Sequence, residues 1–382
     1  MTISSPILSW QETPQTQQVL WRSENGTPPP KKLILADDTL TADQAYRLAA
    51  EGCGLLWQGD FHNARQLLQA MARRCDRPVK KPRKVTEPVT DPARLFHLHR
   101  QAQSQRARIL AMVLIPLNAD YTIPLKRAPD VLGACHEVYG AAVGTGSILS
   151  LRELQSLIGA HEWRKKGVPI PALSAHIHPH YGVFSPMRGE YIELVANAPL
   201  PSTSLAFDIG TGSGVIAAVL AARGVRQIVA TDTDARALRC ARENLAQLGY
   251  ADQVTLINAD LFPEGRAPLI VCNPPWIPAR PSSPIEHAIY DPDSRMLRGF
   301  LDGLATHLEP GGEGWLLLSD IAQHLGLRGQ ADLPEWIDQG GLRVLGSIDI
   351  KPQHPKTSDQ TDPLHAARAA ETTTLWRLAI KN

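Results

Sequence analysis

Leu205–Leu220 reads LAFDIGTGSGVIAAVL, in which two apolar runs flank a turn with three glycines, Gly210, Gly212 and Gly214. The first run has the length of a buried strand, and the second has the length of a helix. A glycine turn between them lets the backbone approach a ligand closely, because no Cβ stands in the way. This strand–turn–helix unit predicts a ligand site at the carboxyl end of a parallel strand.

The sequence after this unit predicts a doubly wound α/β sheet. Further short apolar runs are Ile228–Asp232, Val254–Ile257, Leu269–Cys272 and Trp315–Leu318. Ala235–Leu248 has one apolar helical face, so helices alternate with the strands. Leu342–Ile350 and Thr373–Ile380 predict an antiparallel pair at the sheet edge. The expected fold is a Rossmann-like sheet of seven strands with the last strand antiparallel.

The rest of the 382 residues predicts a second domain. We expect a mostly helical N-terminal domain, 1–170, with an accessory role in substrate recognition, and a catalytic domain over 176–382. The segment 167–175 carries two prolines and predicts the linker. Residues 1–32 are rich in Gln, Ser, Thr and Pro and predict a loosely ordered entry segment. Thr41, Asp60 and Asp91 are candidate helix caps.

Composition restricts the class of protein and its location. No apolar run approaches the roughly 18 residues that span a bilayer, and the N-terminus lacks a signal-peptide pattern. Five scattered cysteines without a C-x-x-C pair indicate reduced thiols. His176, His178 and His180 alternate as metal ligands can, but no Cys or acidic neighbour completes a set. We expect a cytoplasmic protein without membrane association or metal.

Two acidic positions extend the glycine turn into a cofactor site. Asp232 ends the second run, where its carboxylate can accept bonds from both hydroxyls of a ribose, and Asp260 follows the third run, beside an adenine. A nicotinamide dinucleotide is the alternative, but Gly214 comes one residue too early for G-x-G-x-x-G. We therefore predict S-adenosylmethionine as the cofactor, bound by Asp208, Gly210, Thr211, Gly212, Gly214, Asp232, Thr233, Asp260, Leu261 and Asn273.

The fourth run leads directly into Asn273-Pro274-Pro275-Trp276. Consecutive prolines remove backbone donors and leave carbonyls free to face a ligand, and Asn273 adds a side-chain acceptor. Two acceptors that bind the hydrogens of an amide or exocyclic amine favour the pyramidal nitrogen that attacks a methyl group. Trp276 can stack on a planar substrate near the sulfonium charge. We predict N-methyl transfer with Asn273, Pro274, Pro275 and Trp276 as catalytic residues.

Together these motifs resemble the class I methyltransferases that methylate amide and amino nitrogens. NPPWIP is most similar to the loop of the protein glutamine-N5 methyltransferases that modify release factors, which typically reads NPPYIP. Trp276 thus replaces the usual tyrosine. Residues 184–191, FSPMRGEY, resemble the segment before that family's first strand, and Asp291-Pro292 with Leu297 and Gly299 resemble the segment after its loop.

The resemblance covers residues 180 to about 320 and implies that Pro186 and Arg188 lie near the cofactor and substrate. Tyr181 and Phe184 are further candidate substrate contacts. His354 is another, because the polar segment 351–371 should leave the sheet at the end where the cofactor binds.

Three functions stay open. The first is methylation of a macromolecule, protein glutamine before a base of ribosomal or transfer RNA. The second is methylation of a small molecule, and the third is a non-catalytic cofactor-binding scaffold, against which the intact Asn273–Trp276 loop argues. The pattern makes no prediction of oligomeric state.

Charge favours a large polar substrate. Residues 1–180 hold 22 Lys and Arg against 15 Asp and Glu, whereas 181–382 hold 17 against 23. Seven of the twelve residues of Arg73–Lys84 are basic, which indicates either a solvated loop or a surface for RNA or an acidic protein. Neutralising Lys80, Lys81, Arg83 and Lys84 should then raise the KM.

Overall fold

The computed structural model describes residues 6–12, 15–77, 90–142, 144–186, 189–352 and 359–381. Contacts between residues divide the chain into two compact units. The first takes its described residues from 1–89 and 97–162, and the second takes them from 90–96 and 163–382. Each unit contains a large sheet.

The first unit combines helices with a sheet. Its described strands are β1 Ile7–Glu12, β2 Gln15–Trp21, β3 Lys32–Ala36, β4 Cys53–Trp57, β5 Val113–Leu117 and β6 Ser147–Ser150. They form one sheet in the order β1-β2-β6-β5-β4-β3. The helices are α1 Ala42–Ala50, α2 Phe61–Cys75, α3 Pro92–Leu110, α4 Leu132–Tyr139 and α5 Leu151–Lys166, of which α3 and α5 include residues of both units.

The helical character predicted for this region is confirmed. Thr41 forms a capping box with Gln44 at α1, and the Asp60 side chain accepts a hydrogen bond from the backbone of His62 at α2. The sheet is a feature that the sequence pattern did not indicate. β3 and β4 are mostly apolar and have five residues each, and segments that short cannot be distinguished from pieces of buried helix by periodicity.

The prediction of a loosely ordered segment over 1–32 is wrong for its described residues. β1 and β2 form an antiparallel hairpin, and Leu8 and Trp21 are buried in a core cluster with Leu56 and Leu114. Polar residues dominate this stretch because the pleat buries only alternate side chains of a strand. Pairing with β6 then attaches the hairpin to the sheet.

The second unit contains the predicted sheet. Its strands are β9 Leu205–Ile209, β10 Gln227–Asp232, β11 Val254–Asn258, β12 Ala267–Cys272, β13 Leu308–Ser319, β14 Leu342–Ile350 and β15 Thr373–Ile380. They lie in the order β11-β10-β9-β12-β13-β15-β14, and β15 pairs antiparallel with both neighbours. The Rossmann-like sheet of seven strands with an antiparallel last strand is confirmed.

Helices cover both faces of this sheet. They are α6 Glu190–Asn197, α7 Val215–Ala222, α8 Ala235–Gln247, α9 Arg295–His307, α10 Ile321–His324, α11 Asp332–Gln339 and α12 His365–Ala370. One apolar core packs α6, α7 and α8 on one face, and a second packs α9 and α11 on the other. Burial on both faces explains why the central strands read as continuous apolar runs.

The predicted linker is part of the second unit. Val168–Ile170 forms β7 and Ala175–Ile177 forms β8, and these strands pair antiparallel around a 3₁₀ turn at Pro171–Leu173. Val168, Ile170 and Ile177 are buried in the core beside α6 and α7. Two prolines therefore mark a tight hairpin here and not an open connection, because proline also fits the ends of short strands and turns.

Strand register positions the candidate site. β9 and β12 are parallel neighbours, and Ile209 pairs with Cys272. The glycine turn and the Asn273 loop therefore leave the sheet from directly adjacent strand ends. Across the described ranges, no helix is both long enough and apolar enough to cross a membrane.

Candidate active site

A cavity of about 730 Å³ lies at the carboxyl ends of β9, β10, β11 and β12. Its volume falls in the range of roughly 300–1,000 Å³ that is typical of small-molecule sites. Most of the predicted site residues line it: Gly210, Thr211, Gly212, Asp232, Thr233, Asp260, Leu261, Asn273, Pro274, Pro275 and Trp276. The fold thus brings together residues that are separated in the sequence.

The glycine turn is shaped by its own backbone and by β10. The backbone N–H groups of Gly210 and Thr211 both donate to the carbonyl of Thr231, at 2.9 and 2.8 Å. Gly212 has a φ of +56°, and a Cβ built there would meet nothing within 4 Å, so open space lies beside the backbone. At Gly214, with a φ of +82°, a Cβ would press on the backbone of Ala241 in α8 at 3.1 Å. Gly214 thus allows close packing onto α8, and Gly212 leaves room for a ligand.

Asp208 lies behind the turn and does not line the cavity. Its side chain is fully buried, and its Oδ2 accepts from the Thr211 hydroxyl at 2.7 Å and the Ala217 backbone N–H at 3.2 Å. Burial raises the pKa of Asp208 to about 7. Its Oδ1 is buried and lacks a hydrogen-bond partner among the described residues. Asp208 therefore shapes the turn from behind, and one of its oxygens is left to accept a further hydrogen bond.

Asp232 connects the turn to the end of β10. Its Oδ2 accepts from the backbone N–H of Gly212 at 2.9 Å, and its Oδ1 accepts from that of Asp234 at 2.9 Å. Burial raises its pKa, although the backbone hydrogen bonds oppose this shift. A carboxylate has about four lone-pair sites, so it can accept from ligand hydroxyls besides these backbone groups. This arrangement fits the predicted ribose contact.

Asp260 and Leu261 form the edge of the cavity after β11. Asp260 is exposed and pairs with Arg295, which opens α9 and also lines the cavity. Solvent screens such an exposed pair, so it contributes little to stability. Leu261 has a φ of +71°, and its carbonyl accepts from the Thr231 hydroxyl at 2.6 Å. A branched residue in the left-handed region is strained, and here the strain lies beside the cavity.

The Asn273 loop contains a contact that the sequence did not indicate. The Trp276 indole Nε1–H donates to the Asn273 carbonyl oxygen Oδ1 at 2.9 Å. The Trp276 backbone carbonyl in turn accepts from Arg328 at 3.2 Å. Arg328 is 6% exposed, its second partner is the Ser294 hydroxyl at 3.3 Å, and burial lowers its pKa. A buried guanidinium therefore anchors the backbone of the loop at Trp276.

Only some of the candidate substrate residues line the cavity. Phe184 lines the cavity, whereas Tyr181 and Pro186 are absent from its lining. The Tyr181 carbonyl instead accepts from Arg236 at 3.3 Å. Arg188 and His354 lie outside the described residues, as do the basic residues Lys80, Lys81, Arg83 and Lys84.

Arg368 and Glu371 line the cavity without having been predicted. Glu371 is 2% exposed and accepts from the Ser319 hydroxyl at 2.8 Å. β15 is antiparallel, so its first residue, Thr373, lies at the carboxyl edge of the sheet and pairs with Ser319 at the end of β13. The predicted antiparallel direction of β15 could have placed Glu371 at the carboxyl ends of the parallel strands, although no motif surrounds this residue.

The alternating histidines have partners of their own. His178 contacts the Arg164 carbonyl at 2.5 Å and Gln247 at 3.1 Å, and His180 contacts Glu243 at 2.9 Å. Over the described part of the chain, groups of three or more His, Cys, Asp or Glu that could hold a metal are absent.

Residues 175–324 match the family described as Methyltransferase small domain. The chain is 33% identical over 177 residues to a release factor glutamine methyltransferase of Cereibacter sphaeroides, which covers 42% of this chain and 62% of the relative. It is 30% identical to a ribosomal protein L11 methyltransferase of Exiguobacterium sibiricum, covering 35% and 50%. It is 30% identical to a tRNA1(Val) (adenine(37)-N6)-methyltransferase of Shewanella loihica, covering 36% and 61%.

These matches show that the region they cover resembles methyltransferase domains, as the sequence predicts. They also confirm the predicted resemblance to the release factor enzymes. The chain spans between 50 and 62% of the length of these three relatives.

Proposed function

We propose that this chain transfers a methyl group from S-adenosylmethionine to an amide or amino nitrogen of a cytoplasmic macromolecule. Glutamine in a protein is the first candidate acceptor, and a base of ribosomal or transfer RNA is the second. The observation that carries the proposal is the shared cavity, which Gly212 and Asp232 line together with Asn273 and Trp276. A turn suited to a nucleoside and a loop rich in acceptors thus open onto one space.

The glycine-turn side would hold the cofactor. Asp232, with acceptor capacity left over from its backbone bonds, would accept from the ribose hydroxyls beside Thr233. Asp260 and Leu261 would contact the adenine, and the open space at Gly212 would admit the remainder of the molecule. When bound, S-adenosylmethionine supplies a methyl group activated by a positively charged sulfur.

The loop side would hold the acceptor nitrogen. The Asn273 carbonyl oxygen has two lone pairs, of which the Trp276 indole uses one. The second, together with the backbone carbonyl of Pro274, would accept the two hydrogens of an NH2 group and draw its lone pair out of conjugation. Holding the nitrogen in line with the methyl group then supplies much of the rate acceleration.

Two charged residues that line the cavity, Arg368 and Glu371, support a large polar methyl acceptor. Arg368 and Glu371 belong to the 351–371 segment that we expect at the substrate side. Their polar groups line the same cavity as Asn273, which suits a polar acceptor better than a small apolar molecule. Phe184, Arg188 and His354 stay proposed substrate contacts. The relatives are named for protein and transfer RNA methylation, which also supports a macromolecular acceptor.

The compartment is supported by the cysteines. All five are free thiols, and Cys53, Cys135, Cys240 and Cys272 are buried. Burial raises the pKa of Cys135 and of Cys240 to about 11, so these thiols stay protonated and unreactive. Unpaired buried thiols are typical of a reducing compartment.

Methyl transfer from S-adenosylmethionine with a tritiated methyl group tests the proposal. The full chain is incubated with a cell extract, which is then separated into protein, RNA and small molecules. We expect label in protein, with Asn273→Ala as the inactive control. Label in RNA selects the second acceptor, and label among the small molecules alone contradicts a macromolecular substrate. Cofactor binding without label in any fraction would indicate the scaffold function.

A further inference from the structure

The bond between Trp276 and Asn273 restricts the orientation of the Asn273 amide. An indole N–H is a donor only, so the atom that faces it at 2.9 Å must be the carbonyl oxygen and not the NH2 group. An asparagine alone can turn its amide by half a revolution at little cost, because the two ends have similar size. The indole removes this freedom because its N–H can form a hydrogen bond with the oxygen of the amide and not with the NH2 group.

A tyrosine hydroxyl would not act in the same way. It both donates and accepts, so it can pair with either end of an amide. Trp276 stands where the resembling loops carry tyrosine, and it is the residue that imposes a single orientation. This difference gives the substitution a physical consequence for the neighbouring acceptor.

Trp276 is itself held firmly enough to orient another side chain. Arg328 donates to its backbone carbonyl at 3.2 Å. Its ring packs against an apolar cluster that includes Ile321 and Leu325, which lie in and next to α10. Trp276 is therefore fixed at both its backbone and its ring. Its side chain loses rotamer entropy when the protein folds, so the bond to Asn273 costs no further entropy when the substrate binds.

We propose that Trp276 is a positioning residue that keeps the Asn273 carbonyl oxygen, and not the NH2 group, available to a substrate N–H. The proposal rests on the proposed function of the Asn273 loop. If the amide were turned the other way, the Asn273 NH2 group would face the N–H groups of the substrate. Two donors cannot form a hydrogen bond, so the nitrogen to be methylated would not be held. Because the amide is oriented before the substrate binds, every substrate molecule that enters the site meets the Asn273 carbonyl oxygen.

A first experiment examines the bond without any substrate. The 15N–1H spectrum of the full chain shows the indole signals of its eight tryptophans, and Trp276→Phe identifies the one that disappears. We expect this signal to be protected from solvent exchange in the parent protein, to lose protection in Asn273→Ala, and to keep it in Asn273→Asp. Exchange that is unaffected by Asn273→Ala overturns the proposal.

A second experiment separates orientation from packing by a double-mutant cycle. Rates of tritiated-methyl incorporation into unfractionated extract are measured at saturating cofactor for the parent, Trp276→Phe, Asn273→Asp and the double variant. Trp276→Phe keeps an aromatic ring and removes the donor, so we expect a two- to tenfold lower rate of incorporation, about the worth of one hydrogen bond, with cofactor affinity unchanged. In the Asn273→Asp background both terminal atoms are oxygens, so the same change should have no further effect.

Equal losses in both backgrounds would show that Trp276 acts through packing, and a faster Trp276→Phe enzyme would show that the indole competes with the substrate. Either result overturns the proposal. If the parent itself incorporates no label, the proposed function fails, and the exchange measurement still decides whether Trp276 orients Asn273.

Discussion

The two sides of the cavity are held in different ways. On the glycine-turn side, backbone N–H groups of Gly210, Thr211 and Gly212 bond to β10, so the backbone of the turn and the adjacent strand define the surface. On the loop side, side chains from distant parts of the chain define it, since Arg328 holds Trp276 and Ser319 holds Glu371, each pair 52 residues apart. The first side can serve one constant ligand, whereas the second can change its specificity by single substitutions.

The largest effect is expected on the glycine-turn side, from Asp232→Ala. The variant loses the proposed ribose bonds and the support of Gly212, and charged hydrogen bonds are each worth about 1.5–3 kcal/mol. We expect cofactor binding to weaken by roughly 2–4 kcal/mol, or about 30- to 1,000-fold in Kd. Calorimetric titration of S-adenosylmethionine measures this, with the exposed Asp252→Ala as control. Equal affinities of both variants would contradict the cofactor assignment.

On the loop side, Asn273→Ala should lower turnover and leave cofactor affinity unchanged. Removing one aimed acceptor typically lowers turnover about a hundredfold or more, while the glycine-turn side stays intact. We therefore expect a collapse of methyl incorporation at unchanged cofactor affinity, with the exposed Asn197→Ala as the matched control. A variant that binds the cofactor poorly but turns over normally would reverse the assignment of the two sides.

The last effect is on stability and not on binding or turnover, and it concerns the carboxylate behind the turn. Burial raises the pKa of Asp208 to about 7 from the ordinary 3.8, so between these values the folded chain binds a proton that the unfolded chain has lost. The free energy of unfolding should therefore fall as pH rises through this window, by at most about 1.4 kcal/mol per pH unit, and level off above pH 7. Asp208→Asn cannot titrate and should be less sensitive to pH here.

Urea unfolding of the parent protein and of Asp208→Asn from pH 4 to pH 8 measures this difference. The exposed Asp252→Asn serves as control and should follow the parent. Parallel curves for the parent and Asp208→Asn would show that Asp208 does not titrate in the predicted range.

Much of the second unit could be predicted because its signals are local. Leu342–Ile350 and Thr373–Ile380 have the bounds expected from the sequence, and Asp232 and Asn273 follow strand ends that apolar runs reveal. The sheet of the first unit could not be predicted in this way. Its strands are short, and the pairing of β2 with β6 connects residues far apart in the chain.

The sequence by itself determined which residues meet at the carboxyl ends of the strands, because parallel strands that end at Asp232 and just before Gly210 and Asn273 must bring those ends together. Only the tertiary structure decided what those residues touch. It placed Asp208 behind the turn, paired Asp260 with Arg295 and aimed the Trp276 indole at Asn273. Strand ends follow from chain periodicity, which a sequence displays, whereas side-chain partners depend on rotamers and on contacts between distant segments, which it does not.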